Sequence, residues 1–262
     1  MIPKTIHYCW FGRGQMPELA VKCIESWKKY LPEYEIKEWN EDNFDLNLYP
    51  YVREAYDNRR FAFVTDVVRL YALYNEGGVY MDTDVEVLKP LDKFLGHHAF
   101  SGFEDLTNIP TGIMGAEKGS RWAKENLDYY KDRHFIVNGK PDATTNVTTI
   151  TNHLDKYGLK HNNTFQEFED LITIYPKDVF CPKSYEDGEI HITANTHTIH
   201  HFAGSWLDKT QQRTLELQKK MKWMPAPIRS RVAVTIALWQ VEGFRAVADQ
   251  YFESIVKRVK KS

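Results

Sequence analysis

Between Phe61 and Leu88 the chain reads FAFVTDVVRLYALYNEGGVYMDTDVEVL, and few folds can use such a stretch. Phe63, Val67, Leu70, Tyr71 and Tyr74 recur at helical spacing and predict one buried helix face. Asn75-Glu76-Gly77-Gly78 ends that helix, because glycine turns there without steric penalty. Val79 to Val87 is rich in β-branched residues and alternates, which predicts a single strand. On that alternation Tyr80, Asp82 and Asp84 share one side, and Val79, Met81, Val85 and Val87 the other. Helix, glycine turn and strand together argue an α/β chain with this unit at its centre.

Two carboxylates one residue apart repel each other, and a hard divalent cation resolves the conflict, with oxygen ligands suiting Mg²⁺ or Mn²⁺. A lone Asp-Thr-Asp can equally be a solvated turn. Asp66 and Arg69, three apart on the helix, can form a local ion pair or reach one ligand together.

The unit resembles the sugar-binding region with the Asp-x-Asp motif of glycosyltransferase family 32, which includes capsular-polysaccharide enzymes. The matching residues are Phe61-Ala62, Thr65-Asp66, Arg69, Leu73-Tyr74, Gly77-Gly78, Tyr80, Asp82 and Asp84. IPKTIHYCWFG at the start and the later IHHFAGSW resemble further blocks of the family, so the likeness spans Ile2 to Trp206. It implies the three-layer nucleotide-sugar fold called GT-A: a mixed, mainly parallel central sheet flanked by helices. It also implies transfer with retention of anomeric configuration. Asp66, Arg69, Asp82 and Asp84 are then catalytic, and Trp10, Phe11, Tyr80, Asp82, Ser205 and Trp206 bind the nucleotide-sugar donor, a UDP-sugar being favoured. Other metal-dependent retaining transferases carry a His three residues before a Gly. His201-Phe202-Ala203-Gly204 reproduces that spacing, so the metal ligands expected are Asp82, Asp84 and His201, with His200 facing away. Many relatives have a Gly-Pro pair where Asn146-Val147 falls.

The remaining sequence bounds these expectations. A net charge of −2 gives no electrostatic reason to expect nucleic acid. Cys9, Cys23 and Cys181 are too sparse for a disulfide framework and lack paired metal spacing. Met1 runs straight into a strand-like segment without a leader or anchor pattern, which suggests a bacterial, cytoplasm-facing enzyme or a trimmed chain. Thr5 to Phe11, Tyr34 to Trp39, Ala99 to Phe103, Ile113 to Ala116, Ile172 to Tyr175 and Thr198 to Phe202 read as further strands. Helical patterns lie between them, the order of a crossover-connected sheet.

The expected division is a transferase domain over residues 1–223 and an amphipathic helical extension over residues 224–262. Asp208 to Trp223 reads as a helix broken by Pro225-Ala226-Pro227. A second helical pattern runs from Ile228 to the end through Val232, Ile236, Trp239, Val247, Tyr251, Ile255 and Val259. Its basic end can lie on an anionic membrane or simply face solvent, and a lipid-linked glycan acceptor would favour the first.

Two other function classes fit parts of the sequence. VYMDTDVEV superficially resembles the nucleophile strand of haloacid-dehalogenase-like phosphatases. Glu86 stands where those enzymes expect Thr or Val, and the motif is far from the first strand. A degenerate transferase that only binds nucleotide or glycan would have no use for intact Asp66, Arg69, Asp82 and Asp84.

Overall fold

A computed structural model describes residues 1–109, 112–184, 188–204 and 209–248. Strand β1 (Thr5–Cys9), helix α1 (Glu18–Tyr30) and strand β2 (Glu35–Trp39) form the opening crossover, and α2 (Pro50–Asp57) leads into α3 (Phe61–Glu76). Next come β3 (Gly78–Met81), β4 (Val85–Val87), β5 (Ala99–Gly102) and β6 (Ile113–Ala116). Helix α4 (Arg121–Asp128) and the small hairpin of β7 (Ile136–Val137) and β8 (Lys140–Pro141) precede α5 (Asn146–Asp155). The first unit closes with β9 (Gln166–Phe168), β10 (Ile172–Tyr175), α6 (Lys177–Phe180) and β11 (Thr198–His200).

Seven strands form the central sheet in the order β2-β1-β3-β6-β5-β10-β9. Strands β2, β1, β3, β5 and β10 run in one direction, and β6 and β9 run against them. The expected α/β class, with a mainly co-directional sheet flanked by helices, is what the chain adopts. In such sheets ligands gather where the strands end, so Trp10, Asp82 and Glu104, each just past a strand, are brought to one edge.

Helix α3 is buried on more than the one face its periodicity predicts: Val64, Asp66, Val68, Arg69, Ala72 and Leu73 are buried too, while Tyr71 and Tyr74 are half-buried. It ends at Gly77 (φ 73°), and Gly78 (φ 116°) opens β3. A Cβ on Gly78 would lie 2.6 Å from the Thr5 carbonyl oxygen and 2.9 Å from His7 Nε2, so neither the dihedral nor the space admits a side chain. His7, fully buried in β1, fixes this turn. Its Nδ1 accepts from Trp39 Nε1 at 3.1 Å, which leaves Nε2–H to donate to the Gly77 carbonyl at 2.7 Å.

The single strand expected over Val79–Val87 is divided. β3 lies in the main sheet, while β4 pairs with β11 in a separate two-stranded sheet. The break is a turn at Asp82-Thr83-Asp84: Asp82 N–H donates to Gly112 O at 2.8 Å and Val85 N–H to Asp82 O at 3.0 Å.

The second compact unit is Gly204–Ser262, so the division falls at Ala203/Gly204, earlier than the 223/224 boundary expected. Its helices α7 (Lys209–Lys220) and α8 (Ala226–Glu242) form a hairpin. Leu217, Ala233 and Ala237 make its small core, with Met221 and Ile236 against them, which is why α7 groups with α8. The long helix expected from Ile228 to the end stops at Glu242, where Gly243 turns with φ 91°. Tyr251, Ile255, Val259 and the basic end lie outside the described residues. Among the described residues no helix is long and apolar enough to cross a membrane.

Candidate active site

Asp82 follows β3 directly, and Arg69 reaches it from α3, donating from Nη2 to Asp82 Oδ1 at 3.0 Å. Tyr80 O–H donates to the same oxygen at 2.8 Å, and the Arg69 guanidinium lies over the Tyr80 ring, 4.7 Å from its centroid. Arg69 also donates to Thr65, to the carbonyl oxygen at 3.2 Å and to Oγ1 at 3.1 Å. Asp66 is the looser partner of Arg69, with Oδ1 3.7 Å from Nη2. The expected local pair therefore exists in weakened form, because the guanidinium is committed mainly to Asp82.

Asp84 is held from the other side. Ala203 N–H donates to its Oδ2 at 2.7 Å, His201 N–H to its carbonyl oxygen at 2.9 Å, and His200 Nε2 is 3.3 Å from its Oδ1. The expected histidine register is corrected here. β11 pairs His200 with Val85 and Ile199 with Glu86, and neighbouring side chains alternate. Asp84 precedes β4 and lies in the turn, off that alternation, and its carboxylate meets His200, whereas His201 Nε2 lies 2.8 Å from Glu86 Oε2. Ligating atoms of Asp82, Asp84 and His200 lie within 4.8 Å of one another.

The electrostatics separate the carboxylates. Burial raises the Asp82 carboxyl above its ordinary range, although the Arg69 charge opposes it. Burial acts on Asp84 in the same sense but is overruled by the charge and hydrogen bond of His200 and by Ala203 N–H, so its pKa falls to about 2. Burial lifts Asp66 to about 7 against the charge of Arg69. His200 goes the opposite way from a merely buried histidine: desolvation lowers it, but Asp84 and the Cys181 thiol carry it well above its usual value.

Several participants were not among the expected site residues. Gly112 supplies the carbonyl that holds Asp82 N–H, and a Cβ there would lie 2.7 Å from His200 Nδ1. Glu104, just past β5, has its carboxyl raised by burial, with His200 and Asp82 among the charges it feels. Asn146, at the start of α5, donates from Nδ2 to Tyr130 Oη at 3.1 Å, and its buried Oδ1 has no partner. These residues come together only through β5, β6 and α5, and no spacing in the sequence announces that. For Asn146 the one available signal was the departure from a Gly-Pro pair.

Of the remaining expected site residues, Phe11 is core, 6% exposed and edge-on to Phe44, so it offers no free face to a ligand. Trp10 stays half-buried, its Nε1 donating to Gly14 O at 2.7 Å. Ser205 and Trp206 lie outside the described residues.

Comparison with known proteins gives a consistent set. Residues 17–101 match the family model described as a glycosyltransferase sugar-binding region containing the DXD motif. The chain is 30% identical over 184 residues to the uncharacterized glycosyltransferase L373 of Acanthamoeba polyphaga mimivirus, covering 68% of this chain and 67% of that protein. It is 33% identical over 122 residues to inositol phosphoceramide mannosyltransferase 3 of Schizosaccharomyces pombe, covering 45% of this chain but only 34% of that protein. Among solved structures it is similar to the PaToxG glycosyltransferase, with a TM-score of 0.46 and 17% identity over 60% of this chain and 70% of that one.

Proposed function

This chain is a glycosyltransferase of the family whose sugar-binding region contains the DXD motif, and we propose that it uses a divalent cation to move a sugar from a nucleotide-sugar donor to a glycan acceptor. The observation that carries the reading is the approach of Asp82, Asp84 and His200 to within 4.8 Å at the end of the strand bearing the family motif. Two carboxylates and an imidazole form a donor set that suits Mn²⁺, and Mg²⁺ when water completes the shell. The Gly112 position, where a Cβ would press on the His200 ring, fits a histidine held in place beside the two carboxylates. A cation held there supplies Lewis-acid stabilisation of the charge that develops on the departing diphosphate.

The protein groups divide the remaining work. Arg69 and Tyr80 fix Asp82 through one oxygen, so its carboxylate is oriented before any ligand arrives. Ala203 N–H does the same for Asp84. Asp66, whose tie to Arg69 is long, is the group assigned to accept from a donor-sugar hydroxyl. Trp10 borders the base, and retention of anomeric configuration follows the family expectation.

A UDP-sugar is the first donor to test. A GDP-mannose arm belongs beside it, because similar yeast proteins are mannosyltransferases by name. For the acceptor we propose a growing or lipid-linked glycan, as in capsular or other surface polysaccharide assembly. The test is hydrolysis and transfer from UDP- and GDP-sugars with Mn²⁺ and with chelator. Mn²⁺-dependent turnover supports the reading, and turnover unaffected by chelator overturns the metal role.

A further inference from the structure

The α7–α8 hairpin has an apolar surface that no other described residue of its unit covers. One side of α8 packs on α7 through Ala233, Ile236 and Ala237. Apolar residues nevertheless continue around the helix. Ile228 and Trp239 are 52% and 59% exposed on α8, Trp223 is 81% exposed in the turn before it, and Phe244 is 76% exposed just after it. A water-soluble hairpin gains nothing from three aromatic rings held in solvent, and such exposure marks an interaction surface.

The charge around these rings selects the partner. Residues 209–262 carry twelve Lys and Arg against four Asp and Glu, a formal +8 in a chain whose total is −2, so residues 1–208 carry −10. Within the described hairpin one of the two acids, Glu216, is matched by Arg213 at 2.7 Å. Lys219 and Lys220 are exposed at the end of α7, close in sequence to Trp223, and Arg231 and Arg245 are exposed close to Ile228 and Phe244. Aromatic and aliphatic side chains beside cations form the surface that settles into the headgroup region of a bilayer, where rings take the apolar boundary and the cations meet anionic headgroups. With no spanning helix among the described residues, the hairpin would lie on the membrane rather than cross it.

We propose that the α7–α8 hairpin is a docking surface for an anionic lipid bilayer, with Trp223, Trp239 and Phe244 as the inserted groups and Lys219, Lys220, Arg231 and Arg245 as the electrostatic contact. The proposal does not depend on which sugar is transferred. Its consequence is that transfer takes place at a membrane, where a lipid-linked acceptor is presented.

Sedimentation of the full chain with vesicles tests it. Binding to phosphatidylcholine–phosphatidylglycerol vesicles at about two to one should exceed binding to phosphatidylcholine alone by about tenfold or more, and should fall in high salt. Trp223→Ser with Trp239→Ser and Phe244→Ser should abolish insertion, read as loss of the tryptophan blue shift. Lys219→Glu with Lys220→Glu should weaken binding by about tenfold. Both variants should retain donor hydrolysis measured without vesicles, which separates this surface from the chemistry. Equal binding to neutral and anionic vesicles, or none to either, overturns the proposal. So does a wild-type dimer that the aromatic variant converts to monomer, since the face would then belong to a second copy.

Discussion

His200 Nε2 stands 3.3 Å from Asp84 Oδ1, while the next residue along the chain, His201, turns to Glu86. One imidazole is thereby assigned to the carboxylate cluster and the other to the outer side of β4. Asp84 lies in the turn closed by Val85 N–H to Asp82 O rather than on the β4–β11 ribbon, and from there its carboxylate meets His200.

His200→Ala should therefore weaken Mn²⁺ binding by at least about tenfold, while His201→Ala leaves it near the wild-type value. Titration calorimetry with the metal alone measures both. The reverse ranking would show that the imidazole facing Asp84 is not the one that matters.

Gly112→Ala tests the same site without touching a titratable group. The added Cβ, 2.7 Å from His200 Nδ1, must push the ring aside, and a displacement near 1 Å can lower turnover by about a hundredfold. The thermal midpoint should move little, because Gly112 does not have a left-handed φ. Unchanged activity would mean that the position of the ring is unimportant.

The buried Arg69 serves two carboxyl groups at once, half-buried Asp82 at 3.0 Å and buried Asp66 at 3.7 Å. Arg69→Met leaves both without their cation and should cost about 3–5 kcal/mol of stability in denaturant unfolding. Asp82→Asn should cost less, since the guanidinium retains Asp66 and the Thr65 oxygens. Equal losses would indicate that the pair, rather than the three-residue cluster, is the stabilising unit.

Much of this cluster was legible in the sequence, for identifiable reasons. Asp66, Arg69, Asp82 and Asp84 belong to one helix–turn–strand unit whose geometry is local, and the glycine pair marks the turn. The break between Met81 and Val85 was not legible, because the β-branched run continues through Val87. Asp82 N–H still follows the β3–β6 register, bonding Gly112 O, and the strand ends in the turn that Val85 N–H closes onto Asp82 O. Phe11 reads as a ligand-binding aromatic next to a glycine, yet Phe44 claims it for the core. The unit boundary differs because Pro225-Ala226-Pro227 looks like a domain break, whereas it caps and opens α8 in a hairpin whose helices need each other's apolar faces.

Acid–base behaviour offers a separate check. The Asp66 carboxyl is held at about 7 by burial, opposed by Arg69 and reinforced by Asp82. A folded-state pKa above the unfolded value means that the folded protein keeps a proton the unfolded chain has lost. This contribution to stability should then decline as pH rises from about 4 to about 7. Asp66→Asn cannot ionise and should flatten that decline. Urea midpoints across this range, without added metal, decide it; an unchanged pH slope in the variant would place the Asp66 pKa near its ordinary value.

The central claim is that Asp82 and Asp84 hold a cation which in turn holds the donor diphosphate. Its most direct test is calorimetric titration of UDP and GDP into the wild type and into Asp84→Asn, each with Mn²⁺ and with chelator. One nucleotide should bind the wild type at least about tenfold more tightly with Mn²⁺ than without, and this difference should vanish in Asp84→Asn while the fold is retained. Nucleotide binding of equal affinity in chelator, or a Mn²⁺ effect that survives in Asp84→Asn, would contradict the account.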